Sequence, residues 1–213
     1  MSVLMYDFQK WLCVLDFRNV NAFLKSEQGK GTVTVAIARV LVSALVSDIL
    51  LFIVLVPLGF WLLEEGTTIW SMIGAVISGS LFPVFVFLLA NGTFHLILRL
   101  LGGKGKYTDL ICLDSFVAAA AGLVSAFFSI INILLLNFAP AVGESVNCLA
   151  TLLILGPFTV YFLYLAYRIA LMVHGLSKRR TMAAVIVNVA IWFLLVVAME
   201  YAEYVGMAAQ QGV

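Results

Sequence analysis

Five apolar stretches, each at least as long as a bilayer core is thick, leave this chain few ways to fold. They cover residues 33–63, 68–98, 109–138, 146–173 and 181–205. Crossing a hydrocarbon core takes about 20 helical residues, and every stretch reaches that length. The longer ones predict tilted helices or ends that protrude. Pro57, Pro83 and Pro157 fall inside stretches, where neighbouring helices can satisfy the backbone groups that a proline releases. Of the 213 residues, 64% are apolar and 11% charged, against roughly 45–50% and about 25% in soluble domains. A water-soluble fold of this size could not hide so much apolar surface. Soluble enzyme, disordered tail and secreted disulfide scaffold are excluded. The expected fold is all-α and polytopic, a bundle of five transmembrane helices in one domain (31–213) behind a short amphipathic segment (1–30).

That segment is periodic but does not span. Leu4, Phe8, Trp11, Leu12 and Leu15 fall on one helical stripe, with Asp7, Lys10 and Asp16 away from its centre. Asp16 or Asn19 is placed to cap a second short helix that turns Val20, Phe23 and Leu24 inward. Trp11 and the phenylalanines opposite Lys10, Arg18 and Lys25 suit a helix lying in the headgroup layer. The alternative is a helix packed on the rest of the protein. Charged residues interrupt the region before Gly31, so no cleavable signal forms.

Charge alternates from one connection to the next. Lys10, Arg18, Lys25 and Lys30 precede the first stretch, and Glu64 and Glu65 follow it. Arg99, Lys104 and Lys106 occupy the next turn, Glu144 the third, and Lys178, Arg179 and Arg180 the fourth; Glu200 and Glu203 sit in the tail. Arg39 and Arg168 lie within stretches but nearer their basic ends. By the positive-inside rule this places the N-terminus in the cytoplasm and the C-terminus outside. Ala118, Gly122 and Ala126, with Ser125 and Ser129 one ridge over, form a small-residue face of the kind that lets helices approach closely in lipid. Ala75 and Gly79 repeat the pattern on the second stretch.

Few polar groups occur at membrane depth, and those are the candidate functional residues. Arg39, Asn91, His95, Asp114 and Arg168 share the basic third, where Asp114 paired with Arg168 or Arg39 is the expected arrangement. Such a pair serves either as a structural clamp or as a polar vestibule for an ion, a headgroup or a proton. Asp48 is deeper, with Asn132, Asn137 and Asn188 as candidate partners. Cys13, Cys112 and Cys148 share no close spacing, and no metal or cofactor pattern is present. The 102–106 turn is not a phosphate loop, because Leu100 stands where GxxxxGK[ST] needs glycine and Tyr107 where it needs Ser or Thr. Glu64-Glu65 lacks the following arginine that a CAAX-type intramembrane protease requires. A net charge of +1 offers nothing to nucleic acid.

Two turns are distinctive. Leu100-Leu101-Gly102-Gly103-Lys104-Gly105-Lys106 follows the second stretch, and His174-Gly175-Leu176-Ser177-Lys178-Arg179-Arg180 follows the fourth. Each reads as a helix stop, a basic turn and a new N-cap, Thr108 in one case and Ser177 in the other. In this combination the chain resembles the Yip (Ypt-interacting protein) domain family over roughly residues 15–205. The resemblance implies five crossings, a cytoplasmic N-terminus, and, in eukaryotic members, Rab-type GTPase partners and vesicle traffic. Those members carry an Asp-Leu-Tyr-Gly-Pro-like stretch near the first helix; Ser47-Asp48-Ile49-Leu50 is its nearest match here and lacks Tyr-Gly-Pro. With about 30 residues before the first crossing, the chain looks like a compact, prokaryote-type member, which argues against GTPase binding. The expected function is a non-enzymatic membrane-organising or trafficking-type scaffold. Its expected partners are the lipid bilayer, anionic headgroups at the basic face, further copies of itself or other membrane proteins. The alternative is a small ion or solute transporter or channel subunit using Asp48 and Asp114.

Overall fold

A computed structural model describes residues 3–55, 69–138 and 143–210. The far end of the first stretch, the Glu64-Glu65 turn and the turn before Glu144 lie outside the described residues. So do the side chains of Asn132, Asn137, Glu144, Glu200 and Glu203. Two short helices, α1 (Val3–Val14) and α2 (Val20–Glu27), precede five long ones. These are α3 (Val33–Leu55), α4 (Ile69–Leu100), α5 (Tyr107–Phe138), α6 (Gly143–His174) and α7 (Lys178–Gln210). The described residues contain no strand. Each of α3 to α7 is long and apolar enough to cross a membrane, and the bundle is polytopic and all-helical.

Helix α5 is the axle. In its spanning window 56% of residues are buried, against 11% in α7. It packs against α1, α3, α4 and α6, most extensively against α3. The sequence explains the position: Ala119 and Ala120 are fully enclosed, and only small residues let one helix meet neighbours on several sides. A Cβ on Gly122 would lie 3.1 Å from Ser43 Oγ, and the Ser43 hydroxyl donates to the Ala119 carbonyl at 2.7 Å. The small-residue ridge therefore faces α3. Gly31 works the same way where α3 begins, since a Cβ there would come within 2.7 Å of Cys112 Sγ. Pro83 and Pro157 sit inside the continuous helices α4 and α6. Phe82, Phe85, Leu96, Phe193 and Met199 stand exposed on α4 and α7, the faces a hydrocarbon solvent would cover.

The N-terminal segment differs from its expected stripe. Phe8 and Leu12 are exposed, whereas Trp11 and Val14 are buried together with Val20 and Leu24 of α2. These four join the main core beside Leu113 and Phe116 of α5 and Tyr161, Leu165 and Ile169 of α6. Three contacts fix that rotation. Lys10 Nζ meets Glu27 Oε2 at 2.7 Å and clamps α1 to α2. The Tyr161 hydroxyl donates to the Val14 carbonyl at 2.6 Å. Between the helices, Asp16 accepts from the Asn19 side-chain amide at 2.9 Å and the Arg18 backbone N–H at 3.0 Å. Those bonds, the Asn19 one first, hold the Asp16 carboxyl below the usual carboxylate range. Neither residue caps α2 with its side chain: Asn19 holds the cap position without a side-chain bond, because its amide is spent on Asp16.

Candidate functional site

The two basic turns form one structure. Helix α4 ends in a Schellman motif, with Gly102 at φ +93°, its N–H on the Arg99 carbonyl and the Gly103 N–H on that of Leu98. Gly175 ends α6 in the same left-handed region, at φ +63°. The turns then touch. The Lys104 backbone N–H donates to the His174 carbonyl at 3.3 Å, and Arg180 Nη1 donates to the Leu101 carbonyl at 3.4 Å. A Cβ on Gly103 would fall 2.7 Å from His174 Nδ1 and 2.8 Å from the Leu98 carbonyl oxygen, and one on Gly105 would run into the Val173 carbonyl. Gly105 lets its backbone approach that of α6, and Gly103 leaves room for the His174 side chain. Ser177 caps α7, its Oγ accepting from the Arg180 N–H at 3.5 Å. Thr108 does not cap α5; the helix starts a residue earlier, with Leu110 N–H on the Lys106 carbonyl, and Thr108 lies inside it.

Behind the turns His174 is buried, and neither ring nitrogen has a hydrogen-bond partner. Its ring centroid lies 5.0 Å from that of His95 on α4, which is 5.4 Å from that of Tyr107 on α5. The two histidines, distant in sequence, therefore lie side by side.

The polar layer expected to hold an ion pair is wired otherwise. Asp114 accepts from the Asn91 amide at 2.8 Å, and the same amide donates to the Phe87 carbonyl at 3.1 Å. Arg39 lies flat over the Phe116 ring, 3.8 Å from its centroid, and reaches the Cys112 carbonyl and Ser115 Oγ at 3.5 and 3.4 Å. Arg168 Nε donates to Asn21 Oδ1 at 3.0 Å and ties α6 to α2. Neither arginine forms an ion pair with Asp114. The reason is geometric: Arg39 is directed to the Phe116 face and the α5 oxygens and Arg168 to Asn21, while Asp114 faces Asn91, and desolvating an ion pair often costs more than it returns.

Asp48 meets none of the asparagines named for it whose side chains are described. Its Oδ2 accepts from the Ser80 hydroxyl of α4 at 2.6 Å, while Asn188 Oδ1 accepts from Thr93, 3.2 Å away. Asp48 also lines a cavity of about 240 Å³, open on one side, among α3, α4 and α5, with Ser43, Ser47, Ser125 and Ser129. Sequence reasoning missed Asn21, Ser80 and the contact between the turns. Ser80 had a legible signal, since it lies next to Gly79 in the small-residue pattern of α4. Asn21 had none. Among the described residues no three His, Cys, Asp or Glu side chains are grouped to hold a metal.

The family model of the Yip1 domain matches residues 13–199. No curated protein and no solved structure matches the chain.

Proposed function

Because the chain belongs to the Yip1 domain family, and is thus an integral multi-pass membrane protein, we propose that it is a non-enzymatic membrane-organising scaffold. It would bind lipid or protein partners through its basic end. The observation that carries this reading is the contact between the two turns. Gly105 admits the α6 backbone and Gly103 the His174 side chain, and from that shared base Arg99, Lys104, Lys106, Lys178, Arg179 and Arg180 project exposed. A preformed cationic platform suits anionic headgroups, at about 1 kcal/mol for each basic residue near a charged leaflet. It equally suits acidic faces of other membrane proteins or of a further copy of this chain. The excess of Lys and Arg at this end supports a cytoplasmic N-terminus and an extracytoplasmic C-terminus. Phe8, Leu12 and Phe17, exposed on the N-terminal segment, would then face the headgroup layer. A GTPase partner is not part of the reading: Asp48 of the nearest motif match belongs to α3 and turns to Ser80.

The test is recovery of cross-linked partners and retained lipids from native membranes, comparing wild type with a Lys178→Gln, Arg179→Gln, Arg180→Gln variant of unchanged thermal stability. The scaffold reading expects a defined set that the variant loses. An unchanged set would remove the platform from the mechanism. A second reading, passage of an ion or small solute, draws on the Asp48 cavity alone, since Asp114 is engaged by Asn91. Flux in liposomes that Asp48→Asn abolishes would favour it over the first.

A further inference from the structure

The cavity among α3, α4 and α5, open on one side where Ser125 is exposed, has a chemistry that a scaffold does not use. Its volume, about 240 Å³, far exceeds the roughly 30 Å³ that one water occupies in the liquid. Asp48 stands roughly 22 Å along the axis from Val33, beyond the middle of a hydrocarbon core about 30 Å thick. The polar groups on the wall are the carboxylate of Asp48 and the hydroxyls of Ser43, Ser47, Ser125 and Ser129; no basic residue lines it. Two observations show that these oxygens are set for a ligand. The Ser80 hydroxyl, which also lies 2.8 Å from the Val76 carbonyl oxygen, holds Asp48 Oδ2 in place at 2.6 Å. The Ser47 Oγ lies on the same wall and has no hydrogen-bond partner, although the residue is only 8% exposed. A buried hydroxyl left unpaired carries its full desolvation cost, and a carboxylate at this depth carries more.

We infer that this cavity binds one monovalent alkali cation, held by the Asp48 carboxylate with Ser47 and the α5 hydroxyls as neutral oxygen ligands. The donor set decides the class. Carboxylate and hydroxyl oxygens without nitrogen or sulfur select hard cations. A single negative charge neutralises a monovalent ion, whereas a divalent ion would keep an uncompensated charge in a medium that penalises it. The inference goes beyond the scaffold reading and does not depend on it.

Thermal unfolding of the purified protein in nanodiscs tests it, with choline chloride replaced by sodium or potassium chloride at constant ionic strength. Because a ligand that binds only the folded state raises its stability by mass action, the wild-type midpoint rises saturably with one or both ions. Ser47→Ala shifts the half-saturating concentration upward by about tenfold, the scale of losing one supporting ligand. Asp48→Asn abolishes the response. Should Asp48→Asn fold poorly, the Ser125→Ala, Ser129→Ala variant keeps the charge and is expected to weaken the response as well. A wild-type midpoint indifferent to both ions overturns the inference, as does a response unchanged in Ser47→Ala and in the Ser125→Ala, Ser129→Ala variant. A midpoint that follows pH through Asp48 but ignores both ions also overturns it, in favour of a protonated carboxyl.

Discussion

At Gly103 a single methyl group decides whether the two basic turns can meet. Alanine there would press on the buried His174 ring and on the Leu98 carbonyl. Overpacking of this kind costs about 1–3 kcal/mol. Gly92, inside α4, has nothing within 4 Å of where a Cβ would lie. Gly103→Ala is therefore expected to lower the unfolding midpoint, and Gly92→Ala to leave it unchanged or raise it slightly, in one thermal-unfolding series. The glycines of the turn were visible in the sequence as a helix stop; that two of them serve contact with another turn was not. The same limit explains the missing ion pair. Distance along a helix sets how far Asp114, Arg39 and Arg168 stand from their basic ends, and each is about two turns from the end of its helix. It does not set which neighbour each faces, and Asn91, Phe116 and Asn21 are the neighbours found.

Among the elements, the long helices were legible and the short ones only in part. Length and hydropathy alone place α3 to α7, because lipid demands a continuous helix and forgives little else. Helix α1 is amphipathic with two apolar sides, and periodicity could not say which side turns inward. The choice belongs to α6, whose Tyr161 hydroxyl reaches the Val14 carbonyl, and to the Lys10–Glu27 clamp. Tyr161→Phe removes that hydroxyl and keeps the ring, a loss of about 1 kcal/mol. Its effect should be local. Hydrogen exchange is expected to quicken in α1 and α2 while the amides of α5 keep their protection. Equal acceleration in both regions would mean that the N-terminal segment is not a separately anchored element.

For the molecule as a whole, the arrangement of charge ties sequence to proposed function. Three separate basic segments could each have served only to orient a helix. In the structure two of them touch through the Lys104 and Arg180 contacts, and the third precedes α3 at the same end through α2 and Arg168. Such contact could not be seen in the chain order, since it depends on α7 packing against both α4 and α6. The central claim is that five helices cross the bilayer and gather these segments on one side, away from the C-terminus. Cysteine labelling with a membrane-impermeant reagent tests it most directly. Cys13, which is exposed, serves as the reporter for the N-terminal side. Lys104→Cys, Lys178→Cys and a cysteine appended after Val213 are each introduced with Cys13, Cys112 and Cys148 replaced by serine. In sealed vesicles of known orientation, Cys13 and the cysteines at 104 and 178 should react from one face and the appended cysteine from the other. Labelling of Cys13 and the appended cysteine from the same face would contradict the account.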